Sequence, residues 1–262
     1  MKLSDRLRAA ADLVRKGNSV TDIGCDHGFL SICLVSESRA PFAVAADLRE
    51  GPLLRARSHI EEAGLKNKIT TVLCDGVPKN IETLLSSGWK REEKSSGAGK
   101  IHRNTLVLTG MGGFLILKIL QDAGELLCNF SELILSPQSD EAAVRRYICA
   151  NGFLIEDEKM ILEDGKYYVM IQAAAGTRAA KAERAENKGG TVKVLTRAEE
   201  VYGPVLLRKK DAVLYRFLVK RRGILSDIDQ KLEAAGYLKE SRRRREISEE
   251  MMTLEEAAAH FS

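Results

Sequence analysis

Cysteine and histidine are scarce in this chain, with five and four among 262 residues. Cys25, Cys33, Cys74, Cys128 and Cys149 are odd in number and form no C-x-x-C pair. Neither a disulfide framework nor a zinc site is predicted, and no metal is expected. Free thiols suit a reducing compartment, so a cytoplasmic location is expected. No run of about 18 uncharged apolar residues occurs, which excludes a predicted membrane-spanning helix and any membrane partner of that kind. The opening Met1-Lys2-Leu3-Ser4-Asp5-Arg6-Leu7-Arg8 is charged and amphipathic and holds no signal-peptide core. Charge of one sign is also missing from the first two thirds. Residues 1–175 carry 22 Lys and Arg against 23 Asp and Glu, whereas residues 176–262 carry 19 against 14. A neutral body with a basic tail points to an anionic partner reached by the tail, although a solvated basic helix gives the same balance.

What the chain has is strict alternation. Leu3, Leu7, Ala10, Ala11 and Val14 recur at helical spacing, so 3–15 reads as an amphipathic helix. Short β-type runs follow at 19–23, 42–46, 69–73, 105–109 and 132–135, with helix-like segments between them. This pattern predicts an α/β fold with a mostly parallel sheet covered on both faces. Two further β-type runs, 153–162 and 167–172, flank Glu163-Asp164-Gly165-Lys166, a good hairpin turn. An antiparallel hairpin closing a parallel sheet is found in methyltransferase-type sheets and is usually absent from dinucleotide dehydrogenases. Glu92 to Lys100 and residues 176–192 read as loops or linkers, and the second divides a domain at 1–175 from one at 193–262.

Each strand end carries a special residue, and ligands of parallel sheets bind beyond those ends. After the first strand comes Asp22-Ile23-Gly24-Cys25-Asp26-His27-Gly28, a glycine-bearing turn opening a helix. An ordinary strand-to-helix turn would use the same glycines. A dinucleotide site would favour G-x-G-x-x-G, whereas acids here would repel a pyrophosphate and suit the ammonium of S-adenosylmethionine. Asp22 and Asp26 are its candidate partners; Gly24 and Gly28 allow close approach; His27 either orients the cofactor carboxylate or caps the turn. Asp47, with Leu48 beside it, ends the second strand at the spacing for a carboxylate that accepts ribose hydroxyls, which argues against a 2′-phosphate. Asp75 ends the third and suits an adenine amine, with Cys74 or Gly76 offering a backbone N–H. Gly110-Met111-Gly112-Gly113 opens the next helix, where Met111 is either a wall beside a sulfonium or core packing. Ser136-Pro137-Gln138 ends the fifth strand, and Gln138 is a candidate for reading a base edge. NAD remains the competing cofactor at this stage.

Beyond 193 the chain turns helical. Leu214, Leu218, Leu225, Ile228, Leu232 and Ala235 follow 4-3 spacing, interrupted by Arg221. Ile247, Met251, Leu254, Ala258 and Phe261 repeat it, which predicts an antiparallel coiled-coil hairpin. Arg242, Arg243, Arg244 and Arg245 point around the second helix, mostly to water, and are candidates for phosphate contact or for solubility.

Taken in order, these motifs resemble the bacterial TrmK-type tRNA (adenine(22)-N1)-methyltransferases. The resemblance runs from Leu3-Ser4-Asp5-Arg6-Leu7 through the Asp-His-Gly turn, Asp47, Gly51-Pro52-Leu53, Asp75-Gly76, Gly110-Met111-Gly112-Gly113 and Pro137. It continues through Asn151-Gly152-Phe153 and Gly165-Lys166-Tyr167-Tyr168 to Tyr202-Gly203-Pro204. It implies a Rossmann-like class I methyltransferase sheet with a C-terminal coiled-coil domain, S-adenosylmethionine as donor and N1 of a tRNA D-arm adenine as acceptor. Ser-Pro-Gln stands where the family commonly has Gln-Pro-Asn, and the segments at 88–104 and 176–192 look longer than usual. Because N1 is itself a nucleophile, the reaction needs positioning more than a base. Asp26 is the candidate catalytic residue, in an electrostatic role. A monomer is expected. A small-molecule methyltransferase with the same cofactor and a non-enzymatic RNA-binding protein are the alternatives.

Overall fold

A computed structural model describes residues 3–96, 102–176, 194–239 and 241–262. The linker expected at 176–192 therefore lies, after Gly176, outside the described residues, as do 97–101 of the 88–104 segment.

The first half alternates as the sequence requires. Helix α1 (Asp5–Leu13) starts where the Ser4 hydroxyl accepts the Leu7 N–H, relieving one of the unpaired amides of the first turn. It is followed by β1 (Ser19–Ile23), α2 (Phe29–Ser36), β2 (Ala43–Asp47), α3 (Glu50–Glu62), β3 (Ile69–Leu73), α4 (Ile81–Ser96), β4 (Asn104–Met111) and α5 (Gly113–Ala123). A 3-10 turn (Gly124–Asn129), β5 (Glu132–Pro137), α6 (Glu141–Ala150), β6 (Phe153–Glu163) and β7 (Lys166–Ala175) complete the sheet. Strand order is β3-β2-β1-β4-β5-β7-β6, parallel from β3 to β5 and antiparallel at β7. Both faces are covered, which is why β1, β2 and β5 are buried throughout. One face packs Leu13, Val20, Leu34, Val107 and Met170 against α1 to α3. The other packs Ile23, Leu106, Leu133, Ile171 and Trp89 against α4 to α6.

Two segments differ from the sequence reading. The polar stretch from Glu92 is helical to Ser96, because α4 is anchored by Trp89. That ring is buried, meets Phe42 edge-on at 5.2 Å and donates to Asn104 Oδ1 at 2.9 Å. Strand β4 does not stop at Thr109. It bulges at Gly110 and resumes at Met111, which pairs with Pro137.

The C-terminal segment forms α7 (Arg197–Tyr202), α8 (Pro204–Arg208), α9 (Ala212–Ala234) and α10 (Arg242–Ala259). A Thr196–Glu199 capping box starts α7. Its apolar residues join the sheet's second core: Ala198, Tyr202, Leu206, Leu214 and Leu218 are continuous with Met160 and Val169. Burial of one such leucine contributes about 1.5–3 kcal/mol. A charged lock reinforces the junction. Arg145 Nε of α6 donates to Glu158 Oε1 of β6 at 2.8 Å, both side chains fully buried. Glu158 Oε2 also accepts the Val205 N–H at 2.8 Å, and Arg145 donates to the carbonyls of Glu200 and Val201. Gly203 makes this fit: a Cβ there would stand 2.6 Å from Glu158 Oε2.

Helices α9 and α10 form the expected antiparallel hairpin. Leu214, Leu218 and Leu225 are buried against it with Ile247 and Leu254. Arg221, the break in the apolar seam, pairs with Glu250 at 2.6 Å. Ala235 lies beyond the end of α9 and is exposed. The four arginines are not equivalent. Arg244 is buried and grips Asp229 at 2.8 and 3.0 Å while donating to the Tyr237 carbonyl, which closes the hairpin turn. The expectation that most of the four face water holds, with Arg244 the exception. Arg242 and Arg243 pair with Glu246, and Arg242, Arg243 and Arg245 are all exposed.

Candidate active site

The strand order reverses between β1 and its neighbours β2 and β4, and beyond the carboxyl ends of β1, β4 and β5 lies a cavity of about 180 Å³. Arg6 and Leu7 of α1 line it, with Asp22, Gly24, Cys25, Asp26 and His27 of the first loop and Phe29 and Leu30 of α2. Thr109 and Gly110 at the end of β4, Ser136 and Gln138 at the end of β5, and Tyr168 of β7 complete the wall.

Asp22 is the most informative group. Its side chain is buried, and Ser31 Oγ donates to Oδ2 at 2.9 Å. Burial pushes its carboxyl up to about 6, the nearby Asp47 charge adds to this, and the Ser31 hydrogen bonds oppose it. A desolvated carboxyl that pairs with no cation among the described residues, on a cavity wall, favours a positively charged ligand. The loop that follows is tied down by the amides of Gly24 and Cys25, which both donate to the Ala46 carbonyl. Gly24 has φ +72°, and a Cβ there would meet Met111 Cε at 3.0 Å. Any side chain would strain the turn and press on Met111. Met111 thus sits against Gly24 and is not among the residues lining the cavity.

Asp26, also at positive φ, points its exposed carboxylate between His27 Nε2 and Arg55, each at 3.5 Å. Its amide donates to Asp47 Oδ2 at 3.1 Å, and the Arg49 amide donates to Asp47 Oδ1 at 2.9 Å. Asp47, buried at the end of β2, therefore fixes the loop and keeps unshared lone pairs for a further donor. The Cys74 amide donates to the Asp47 carbonyl at 3.0 Å, which joins the end of β3 to the same set. Burial, then the charges of Asp75 and Asp47, push the Cys74 thiol up. Burial, then Asp22, Asp47 and Asp26, push the Cys25 thiol far up, so neither sulfur is a nucleophile. His27 stacks on Phe29 at 5.2 Å, Phe29 on His59 at 4.8 Å, and His59 Nδ1 contacts the His27 carbonyl at 3.0 Å.

The structure thus gathers Asp22, Gly24, Asp26, His27, Gly110 and Gln138 around one cavity. Asp47 braces that wall from behind. Asp75 and Leu48 are exposed, with Gly76 beside Ile119, on the flank formed by β2 and β3. Gly28 starts α2. Arg242, Arg243, Arg244 and Arg245 belong to the helical hairpin and do not line the cavity. Sequence reasoning missed Arg6, Ser31, Phe29 and Tyr168 as site residues. Arg6 and Tyr168 stood inside motifs already marked by the resemblance, whereas nothing local marks Ser31.

A seven-stranded sheet with one reversed strand, acids at three successive strand ends and a buried uncompensated carboxyl at the switch point define a class I methyltransferase. The chain belongs to the methyltransferase domain family, which matches residues 3–171. It is similar over its whole length to the tRNA (adenine(22)-N(1))-methyltransferase of Bacillus subtilis strain 168, at 28% identity over 261 residues, 99% of this chain and 98% of that protein. The crystal structure of the B. subtilis m1A22 tRNA methyltransferase TrmK superimposes with a TM-score of 0.74 at 27% identity, covering 98% of each chain. Streptococcus pneumoniae Sp1610 in complex with S-adenosyl-L-methionine gives 0.72 at 26%, covering 98% of this chain and 99% of that one.

Proposed function

We propose that this enzyme transfers a methyl group from S-adenosylmethionine to N1 of adenine 22 of tRNA, as the name of its full-length B. subtilis relative states for that protein. The observation that carries the cofactor assignment is Asp22, a buried carboxyl on the cavity wall that pairs with no cation among the described residues. The donor set fits the group. Asp22 takes the ammonium, Asp47 the ribose hydroxyls, Asp75 and the Cys74–Gly76 backbone the adenine edge, and Gly24 and Gly110 leave the backbone open to the thioether region. When bound, S-adenosylmethionine supplies an electrophilic methyl group on a sulfonium.

The chain's own part is alignment and charge. A nucleophilic ring nitrogen needs no base, so orientation supplies several kcal/mol of the rate gain. Gln138 and Tyr168 face the side of the cavity away from β2 and β3, where an extruded base is received. Asp26, only loosely paired with Arg55 and His27, stabilises the positive charge that methylation leaves on the ring. Arg242, Arg243 and Arg245 are proposed tRNA-phosphate contacts of the helical hairpin, whereas Arg244 is its clasp. Among the described residues no helix is long and apolar enough to cross a membrane, and no acidic or thiol cluster could hold a metal. A cytoplasmic monomer is the proposed working form.

The test is to incubate the protein with methyl-labelled S-adenosylmethionine and unmodified tRNA and to map the label. N1-methyladenine at position 22 is expected. Label on a small molecule, at another nucleotide or nowhere rejects the assignment.

A further inference from the structure

The junction between the sheet and the helical hairpin holds a second cavity, of about 380 Å³, larger than the one at the strand ends. That size lies within the range of small-ligand sites, roughly 300–1,000 Å³. A dry packing defect is lined by apolar groups alone, whereas this wall also carries Glu141, Lys220, Arg221 and Glu250. Aromatic rings from three elements meet on it. Tyr167 of β7 and Phe217 of α9 cross edge-on at 5.0 Å, and Tyr202 of α7 lies 6.4 Å from Phe217. Because the rings cross and do not stack on one another, ring face is left to the cavity. Burial pushes the Tyr202 hydroxyl up to about 12, so it stays a donor at neutral pH. The charges divide. Arg221 is already paired with Glu250 at 2.6 Å. Lys220 is exposed, its Nζ lies 5.9 Å from the centre of the Tyr167 ring, and it pairs with no carboxylate among the described residues. Glu141, in the first turn of α6, pairs with no cation among them.

The two cavities share a partition. Successive side chains of a strand point to opposite faces of its sheet, and in β7 Tyr168 lines the first cavity while Tyr167 lines the second. The turn from β5 into α6 is shared in the same way, with Gln138 on the first cavity and Glu141 on the second. A strand of RNA that sends one base past Gln138 and Tyr168 carries its neighbouring nucleotides across this partition. We propose that the second cavity receives an unpaired base of the substrate RNA other than the one that is methylated. Tyr167 and Phe217 offer ring faces for stacking, Glu141 accepts from a ring or exocyclic N–H, and Lys220 at the rim holds the adjoining phosphate. The inference rests on the reading of tRNA as the substrate. Stacking on aromatic side chains admits any base, because each has a π-face. A phosphate is kept out of the cavity itself by the carboxylates of Glu141 and Glu250. Seating one base here fixes the direction in which the strand enters the first cavity.

Fluorescence anisotropy of labelled, unmodified tRNA on the full chain tests it, with single abasic nucleotides placed in turn at the unpaired positions outside the methylated one. In the wild type, one such position should lower affinity by roughly 5- to 150-fold. Tyr167→Leu should weaken intact tRNA by a similar factor, and that abasic position should then cost nothing more. The loss in Tyr167→Leu should be the same at low and high salt, whereas Lys220→Gln should flatten the salt dependence by about one phosphate contact. Ile224 is exposed on the rim, so Ile224→Trp should fold, fill the cavity and reproduce the loss with all three rings in place. Affinity for S-adenosylhomocysteine, read by calorimetry, should stay at the wild-type level in all three variants. Wild-type tRNA affinity in both Tyr167→Leu and Ile224→Trp overturns the proposal. So does an abasic cost that persists in Tyr167→Leu, or a loss that disappears at high salt. If the wild type binds no tRNA, the reading of tRNA as substrate fails and takes the base site with it.

Discussion

Replacing Asp22 by Asn should separate stability from binding. The carboxyl has a pKa of about 6 in the folded chain against 3.8 as a free side chain, chiefly because it is buried. The sign follows from proton counting. Between those two values the folded state holds the proton more tightly than the unfolded state, so stability falls as pH rises through the window. Below about 3.8 the penalty is absent, and above about 6 it is fully present. A shift of roughly two units corresponds to something on the order of 3 kcal/mol. Asp22→Asn keeps an oxygen to accept from Ser31 Oγ and removes the charge. The unliganded variant should therefore be more stable than wild type at pH 7.5, by no more than that amount, and the gap should close by pH 4. Binding should move the other way. The ligand's amino group stays protonated from pH 5 to 7, so wild-type affinity for S-adenosylmethionine should fall about tenfold over that interval as Asp22 takes up its proton. The variant should bind weakly and without pH dependence. Urea titrations across pH and calorimetry at pH 5, 6 and 7 measure both. A stability gap that is constant with pH, or a wild-type affinity flat from pH 5 to 7, would refute the reasoning.

Glu158→Gln should destabilise the chain by about 3–5 kcal/mol in denaturant titration, because it strands the fully buried Arg145 and weakens the hold on the Val205 amide; a loss below about 1 kcal/mol would contradict the lock. Changing Arg242, Arg243 and Arg245 together to Gln should weaken tRNA binding and flatten its salt dependence while leaving the thermal midpoint and cofactor affinity unchanged. Arg244→Gln should instead lower the thermal midpoint, since it removes the clasp on Asp229; the reverse pattern in these two variants would overturn the division of roles.

The sheet was legible because its strands are short, apolar and bounded by residues with one job each. Val20, Val44 and Leu106 lie in near-continuous apolar runs, and Gly24, Asp47 and Gly110 mark where they stop. What escaped was contact across distance. In the sequence Trp89 is a lone tryptophan ahead of a polar stretch, and only its burial on Phe42 explains why α4 runs to Ser96. Arg244 was one of four identical side chains, and only the placement of Asp229 on α9 singles it out. The capping signal Thr196-x-x-Glu199 and the proline at the start of α8 were readable, but the docking of those helices on Glu158 was not, since that pair spans 47 residues. For the candidate site, the first loop and the end of β5 named the right wall. Arg6 and Tyr168, from the first helix and the last strand, needed the fold to bring them there.

The central claim is that one nucleoside-bearing amino acid spans the ends of β1 to β5. A crystal structure of the protein with S-adenosylhomocysteine tests it most directly. The account expects the amino group within hydrogen-bond reach of Asp22 and the ribose hydroxyls on Asp47. A ligand seated elsewhere, or one in this cavity that touches neither carboxylate, would contradict it.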